Sequence, residues 1–291
     1  MNILTYLRLS LLFVFLVGTM QEGMAQKNRK SRKDRTKKNK KSIMDDLPSF
    51  FVDDSRLPKY LKAIYRRDAA RISVRLINEE MRLSKQTVEI PEELVQAVYN
   101  ALVAIRTSDY AAVDTIATKY YVRSFPVPNV EKIVLVAEHD AKWIEPLRRR
   151  QNTTGSEGLN QLIQEYNLIP SRLVTLDEER TALVLQSRHP INMPALMMRC
   201  FVQEGIGSIE EVLPYGDGND IAVKRTKNGW DIEYSVKFGS CSAQCQKSHK
   251  WYFSVTEEGE VIYSGSNGYT IPPWIKSTRF AEQFPDVLAK N

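Results

Sequence analysis

The chain has 291 residues, 43% of them hydrophobic and 26% charged, which excludes a fibrous protein, a wholly disordered one and a multi-span membrane protein. The formal charge of +6 is concentrated in one place. Residues 27–41 hold ten Lys/Arg against Asp34, a local +9, so residues 42–291 sum to −3: the basic character belongs to that short arm, and the remainder is mildly acidic.

Arg8, the apolar run Leu9 to Gly18 and the small residues Gly23 and Ala25 read as a secretory signal peptide over 1–25, cleaved after Ala25. The apolar run is too short for a span of about 18–20 residues, and no second long run follows, so no transmembrane anchor is expected. Export places the protein in the periplasm or outside the cell, where cysteines oxidise. Residues 26–43 have no apolar periodicity and read as a disordered basic arm. Its plain role is a solvated tether, and its alternative role is a weak contact with anionic polymer through 27–41.

Residues 44–128 read as a helical layer. Leu57, Tyr60, Leu61, Ile64 and Tyr65 recur at helical spacing with Ser55 as the cap. Gln86 to Ile90 reads as extended, Pro91 opens a second helix, and Leu94, Val95, Val98, Leu102 and Ile105 form its apolar face. Tyr120 to Val127 reads as extended again, with Pro126 and Pro128 marking a boundary.

Residues 129–218 carry a clearer order. KIVLVAE at 132–138 is a strand, and Ser156 to Asn167 is a helix with Leu159, Leu162, Ile163 and Tyr166 on one face. RLVTLDEE and TALVLQSR are two strands around a tight turn near Glu179-Arg180. Asn192 caps a helix whose apolar face is Met193, Leu196, Met197, Cys200 and Phe201; Gly205 ends it, and a last strand runs through Ile209, Val212 and Leu213. That β-α-β-β-α-β order is a ferredoxin-like module, a fold that hosts many unrelated functions.

Residues 219–291 read as an antiparallel β-meander with a C-terminal tail. Asn228-Gly229 is a hairpin signal, after which Trp230, Ile232, Tyr234, Val236 and Phe238 alternate with polar residues. WYFSV at 251–255, a turn at Glu258-Gly259 and VIYSG at 261–265 complete it. A meander needs something packed on its apolar face. The fold class is therefore α+β.

Two strings could carry chemistry. In FGSCSAQCQKSHKWYF at 238–253, Cys241, Cys245 and His249 fall at i, i+4 and i+8, which in a helix would put two thiolates and an imidazole on one face for zinc. The competing reading, favoured by export, is a Cys241–Cys245 disulfide with Cys200 a buried thiol and His249 packed beside Trp251. In YGDGNDI at 215–221, Asp217, Asn219 and Asp220 supply oxygen ligands suited to calcium, but a turn accounts for the same residues. Redox catalysis would want Cys-x-x-Cys at a helix start. His139 has Glu138 and Asp140 beside it in sequence, His189 reads as a loop residue, and the sequon at Asn152 marks a surface loop. No nucleophile elbow, zinc-protease motif or phosphate loop is present, and no cofactor is implied.

The strings DAARISVRLI at 68–77, VEIPEELVQAVYNAL at 88–102, GDGNDI at 216–221 and Cys241-x3-Cys245-x3-His249-x-Trp251 give the chain, over roughly 65–270, a resemblance to a group of exported bacterial proteins. In that group the cysteine segment commonly reads Gly-Asp-Cys-Pro-x-Gly-Cys before Arg-His-x-Trp; here the flanking Asp, Pro and Gly are Ser240, Ser242 and Gln244. The resemblance implies export and supplies no reaction. In its strand order and in VQEGIGSIEEVLP at 202–214, the middle module also looks like the propeptide and inhibitor domains that pack on subtilisin-type proteases, although no protease domain follows it. The leading functional reading is a non-enzymatic exported module that binds another macromolecule, an unidentified protein or envelope component. The alternatives are a metal- or thiol-dependent enzyme using Cys241, Cys245 and His249, and an envelope adaptor working through the arm.

Overall fold

The computed structural model describes residues 42–80, 87–177, 180–212, 218–239 and 245–275. The proposed signal peptide and nearly all of the basic arm lie outside the described residues, as do Asp217, Cys241 and Leu213. The architecture is α+β, helices combined with two four-stranded antiparallel sheets.

Helix α1 (Lys59–Glu79) and helix α2 (Glu92–Thr107) each begin directly after a proline, Pro58 and Pro91. Ser55 does not cap α1. It sits three residues before the N-cap position, and its own N–H donates to Asp53 Oδ1 at 2.9 Å in a local turn. From α2, Leu94, Val95, Val98, Leu102 and Ile105 are all buried. They and the inner face of α1 pack on strands β5 (Asp220–Thr226), β6 (Gly229–Phe238), β7 (Lys247–Thr256) and β8 (Val261–Gly268), which follow one another as a meander. The alternation read along β6 is the buried face: Trp230, Ile232, Tyr234, Val236 and Phe238 meet Trp251, Phe253 and Val255 of β7 and the two helices in one core. The β5–β6 turn is displaced by one residue from its dipeptide signal. Thr226 pairs with Gly229, so the loop is Lys227-Asn228. Gly229 is needed for another reason: at φ +139° its missing Cβ would collide with the Val255 carbonyl of β7.

Apart from Val88, the second core is built from one contiguous stretch. Strands β1 (Lys132–Ala137), β2 (Leu168–Thr175), β3 (Thr181–Ser187) and β4 (Ile206–Glu211) lie in the order β2-β3-β1-β4, every neighbour antiparallel. Helices α3 (Glu157–Glu165) and α4 (Met193–Phe201) supply Leu159, Leu162, Leu196 and Cys200 against Ile133, Leu135, Leu183 and Leu185. Ser156 caps α3, its hydroxyl accepting the Leu159 N–H at 3.3 Å. Strand β2 starts at Leu168, four residues before the run read from sequence. Pro170 is tolerated inside it because β2 is an edge strand with a register shift at that point. Tyr120 to Val127 forms no strand; it follows a π-helical turn at Thr115–Lys119.

Asn192 stands at the N-cap position of α4 without capping it. Fully buried, it donates from Nδ2 to the Thr87 carbonyl at 2.9 Å and from its backbone N–H to the Val88 carbonyl at 2.8 Å, fastening the segment before α2 onto the second core. At the other seam, Asn129 Nδ2 donates to the Val212 carbonyl at 3.0 Å, so the chain enters and leaves the β1–β4 region side by side. No helix among the described residues is long and apolar enough to cross a membrane.

Candidate functional site

Two of the strings singled out in the sequence, DAARISVRLI and GDGNDI, meet at α1. Asp68, Arg71 and Arg75, three and four residues apart, share one side of that helix. Asp68 Oδ1 accepts from the Ser124 N–H at 3.1 Å and the Ser124 hydroxyl at 2.6 Å. Arg71 donates to Ser124 Oγ at 2.9 Å. Arg75 donates from Nε to the Val127 carbonyl at 3.0 Å, to the Phe125 carbonyl, to Asp220 Oδ1 at 2.9 Å and to the Ile221 carbonyl at 3.2 Å. Asp220 Oδ1 also takes the Phe125 N–H at 2.6 Å. The Arg123 guanidinium lies 4.8 Å over the Tyr65 ring.

Burial pushes the Asp68 carboxyl above its ordinary pKa, against Arg123, Ser124 and Arg71. Burial alone would lower Arg123, but the adjacent Tyr65 and Asp68 outweigh it and hold the guanidinium above its usual value. Burial pulls Arg71 down, and pushes the Tyr234 hydroxyl, deep in the same cluster, well up. These charges bind chain segments to one another. The arrangement is a clamp that fixes 123–127 and the start of β5 to α1.

The calcium candidates fall beside this clamp. Asp220 serves Arg75 and two backbone N–H groups, and Asn219 Oδ1 accepts the Lys237 N–H at 3.0 Å. Asp217 lies outside the described residues. Gly218, at φ +82°, passes close to Cys245: a Cβ there would stand 3.3 Å from its Sγ. Cys245 is not a free thiol, whereas Cys200 is free and buried, with burial raising its pKa to about 12.

The helical spacing invoked for the zinc reading does not extend to His249. That residue sits on β7, paired with Val236 of β6, because the run from Lys247 joins the meander as a strand whose Trp251, Phe253 and Val255 enter the core in alternation. Its ring centroid is 4.6 Å from that of Trp251 and its Nδ1 is 3.0 Å from the Tyr269 carbonyl oxygen. No group of three or more His, Cys, Asp or Glu suited to a metal occurs among the described residues.

A cleft of about 660 Å³ lies at one end of the β1–β4 sheet, lined by Glu138, His139, Asp140, Lys142, Glu157 and Glu204. His139 Nδ1 is 2.8 Å from Asp140 Oδ1, and both side chains are largely exposed. Ser156, also at the cleft, spends its hydroxyl oxygen on the α3 cap.

One surface departs from the sequence reading in a way that bears on function. Phe201, expected in the core with Met193, Leu196, Met197 and Cys200, is 60% exposed, next to Met198 at 59% and Val202 at 77%. At about 100° per residue, Met193, Leu196, Met197 and Cys200 form the stripe on the sheet, and Phe201 falls on its margin, turned toward Met198 and Val202. The contiguous LMMRCFV string hides this, since apolar residues there point both ways. Asn192 was equally hidden, because a buried staple and a cap use the same residue type. No family model, curated protein or solved structure matches the chain.

Proposed function

We propose that the chain is an exported, non-enzymatic module that binds another protein, and that its 129–218 region is a ferredoxin-like unit presenting the binding face. The observation that carries this reading is the apolar cluster Met198, Phe201 and Val202 on the outer side of α4, three large side chains at adjacent helical positions with their surface open to water. The strand order β2-β3-β1-β4 with two crossover helices supports the fold half of the proposal. Removal of 1–25 on export and a Cys241–Cys245 disulfide belong to the same reading, since both follow from an oxidising destination.

The test is site-specific photo-crosslinking in the exporting cell. A photoreactive residue at Phe201 or Met198 is expected to give a discrete adduct with another protein, while one at exposed Gln164 of α3 gives none. Exported, folded protein that yields no adduct from either α4 position would overturn the proposal.

A further inference from the structure

The meander turns one face to the core, and its cross-strand register fixes what stands on the other. Lys224, Asp231, Ser254 and Ile262 form one row across β5, β6, β7 and β8, and Ala222, Glu233, Tyr252 and Gly265 form the next. Between these rows lies a recess of about 480 Å³, whose lining includes Lys224, Asp231, Glu233, Tyr252, Ser254 and Ser264. Two small residues keep it open. Ala222 is exposed on β5, and a Cβ added at Gly265 would meet nothing within 4 Å, so the Tyr252 ring does not fold over its cross-strand neighbour.

The polar groups of the recess are held in place by their neighbours. The Ser254 hydroxyl donates to Asp231 Oδ1 at 2.8 Å, the Lys250 ammonium stands 2.8 Å from Glu233 Oε1, and the Tyr252 hydroxyl donates to Asn267 Oδ1 at 3.1 Å. Each bond engages one oxygen and fixes the side chain, so each carboxylate keeps a second oxygen with which to accept. The two carboxylates stand two positions apart on one strand, about 7 Å along it.

These features select the chemistry of an occupant. Among the described residues, Lys224 and Lys250 balance Asp231 and Glu233, so the recess offers an ion no net charge to complement. An apolar ligand would strip water from those charges and return no hydrogen bond. A neutral molecule with hydroxyls around its edge and C–H groups on its face meets both demands, its hydroxyls donating to the carboxylates and its C–H face covering the Tyr252 ring. We propose that the outer face of the meander is a carbohydrate-binding site, in which a neutral oligosaccharide lies in the recess against Tyr252 and donates hydroxyl hydrogen bonds to Asp231 and Glu233. The recess belongs to a different sheet from the one that carries α4, so this binding and the α4 reading stand or fall independently.

The experiment is isothermal titration calorimetry of the full mature chain with maltotetraose, cellotetraose and chitotetraose, neutral probes that differ in linkage and substituent, and with tetragalacturonate as an anionic probe of the same length. At least one neutral probe is expected to bind saturably, in the micromolar to millimolar range, and tetragalacturonate is not. Tyr252→Ala and Asp231→Asn should each weaken the neutral probe by about tenfold or more. Ala222→Phe fills the recess from an exposed position outside the core and should abolish binding while far-UV circular dichroism and the thermal melt stay as in wild type. Absence of heat with all three neutral probes, a preference for tetragalacturonate, or a folded Ala222→Phe chain that binds undiminished would each overturn the proposal.

Discussion

The two cores are assembled in opposite ways. The β1–β4 core is drawn, apart from Val88, from one contiguous stretch, its strands joined by short connections and by α3 and α4, and it is lined mostly by aliphatic side chains. The other joins α1 and α2 to a meander more than a hundred residues further on, and charge-assisted bonds secure its seam: Arg75 ties α1 to Asp220 and the Ile221 carbonyl of β5, while Asp68 and Arg71 hold Ser124 of the intervening segment. Apolar packing is non-directional, and long-range closure gains little guidance from local sequence. A clamp of directional hydrogen bonds selects one way of bringing the distant pieces together, while a contiguous unit has its register set by its own hairpins.

The comparison breaks hardest at Arg75. Arg75→Ala strands the Val127, Phe125 and Ile221 carbonyls and leaves Asp220 without its guanidinium. Removal of one partner from such a partly buried network is expected to cost about 3–5 kcal/mol. Hydrogen exchange should accelerate in α1 and β5–β8 while β1–β4 keeps its protection; equal acceleration in both sheets would show that the two cores are not separately secured.

Asn192→Ala attacks the seam between the cores. It removes the side-chain bond to Thr87 and is expected to cost about 1–3 kcal/mol in denaturant unfolding. Since Asn192 makes no cap bond, Asn192→Ser, a better capping residue, should not rescue it. Rescue by Ser would mean that capping, not stapling, is its role.

Asp68→Asn sharpens the electrostatic half of the comparison and is read as a slope. Burial raises the Asp68 pKa above the ordinary 3.8, so the folded chain holds this proton at a pH where the unfolded chain has lost it. The resulting stability is fully present below 3.8 and is lost as pH rises through the higher folded value. Asn keeps the acceptor for Ser124 but cannot titrate, so wild type should gain on Asp68→Asn as pH falls toward 4. An identical pH dependence of the two melting curves would remove Asp68 from the account.

Much of the fold is legible in local pattern. Period-two alternation along β6 and helical spacing in α2 each follow from residues a few positions apart, and the structure places them as read. The reading fails where the deciding partner is remote. Gly229 answers to a carbonyl on β7, so its turn slips by one residue; His249 answers to β6, so helical spacing misleads; Asn192 answers to Thr87, a hundred residues away. Arg71 and Arg75 look like the solvated face of a helix until their acceptors at 124–127 and 220–221 arrive. The α4 cluster was missed for a different reason, since exposure of Phe201 depends on where the sheet ends beneath the helix.

The clasp between Asn129 and the Val212 carbonyl bears on how such a chain can grow and change. With entry and exit held together and β1 already beside β4, the distance the surrounding fold must bridge is the same however long or varied the intervening polypeptide becomes. Closure entropy rises only slowly with loop length and is here absorbed by a segment with a core of its own. The helices and meander thus act as a host, and the inserted unit can be elaborated, or its α4 surface rewritten, without altering the spacing at which α2 hands over to β5.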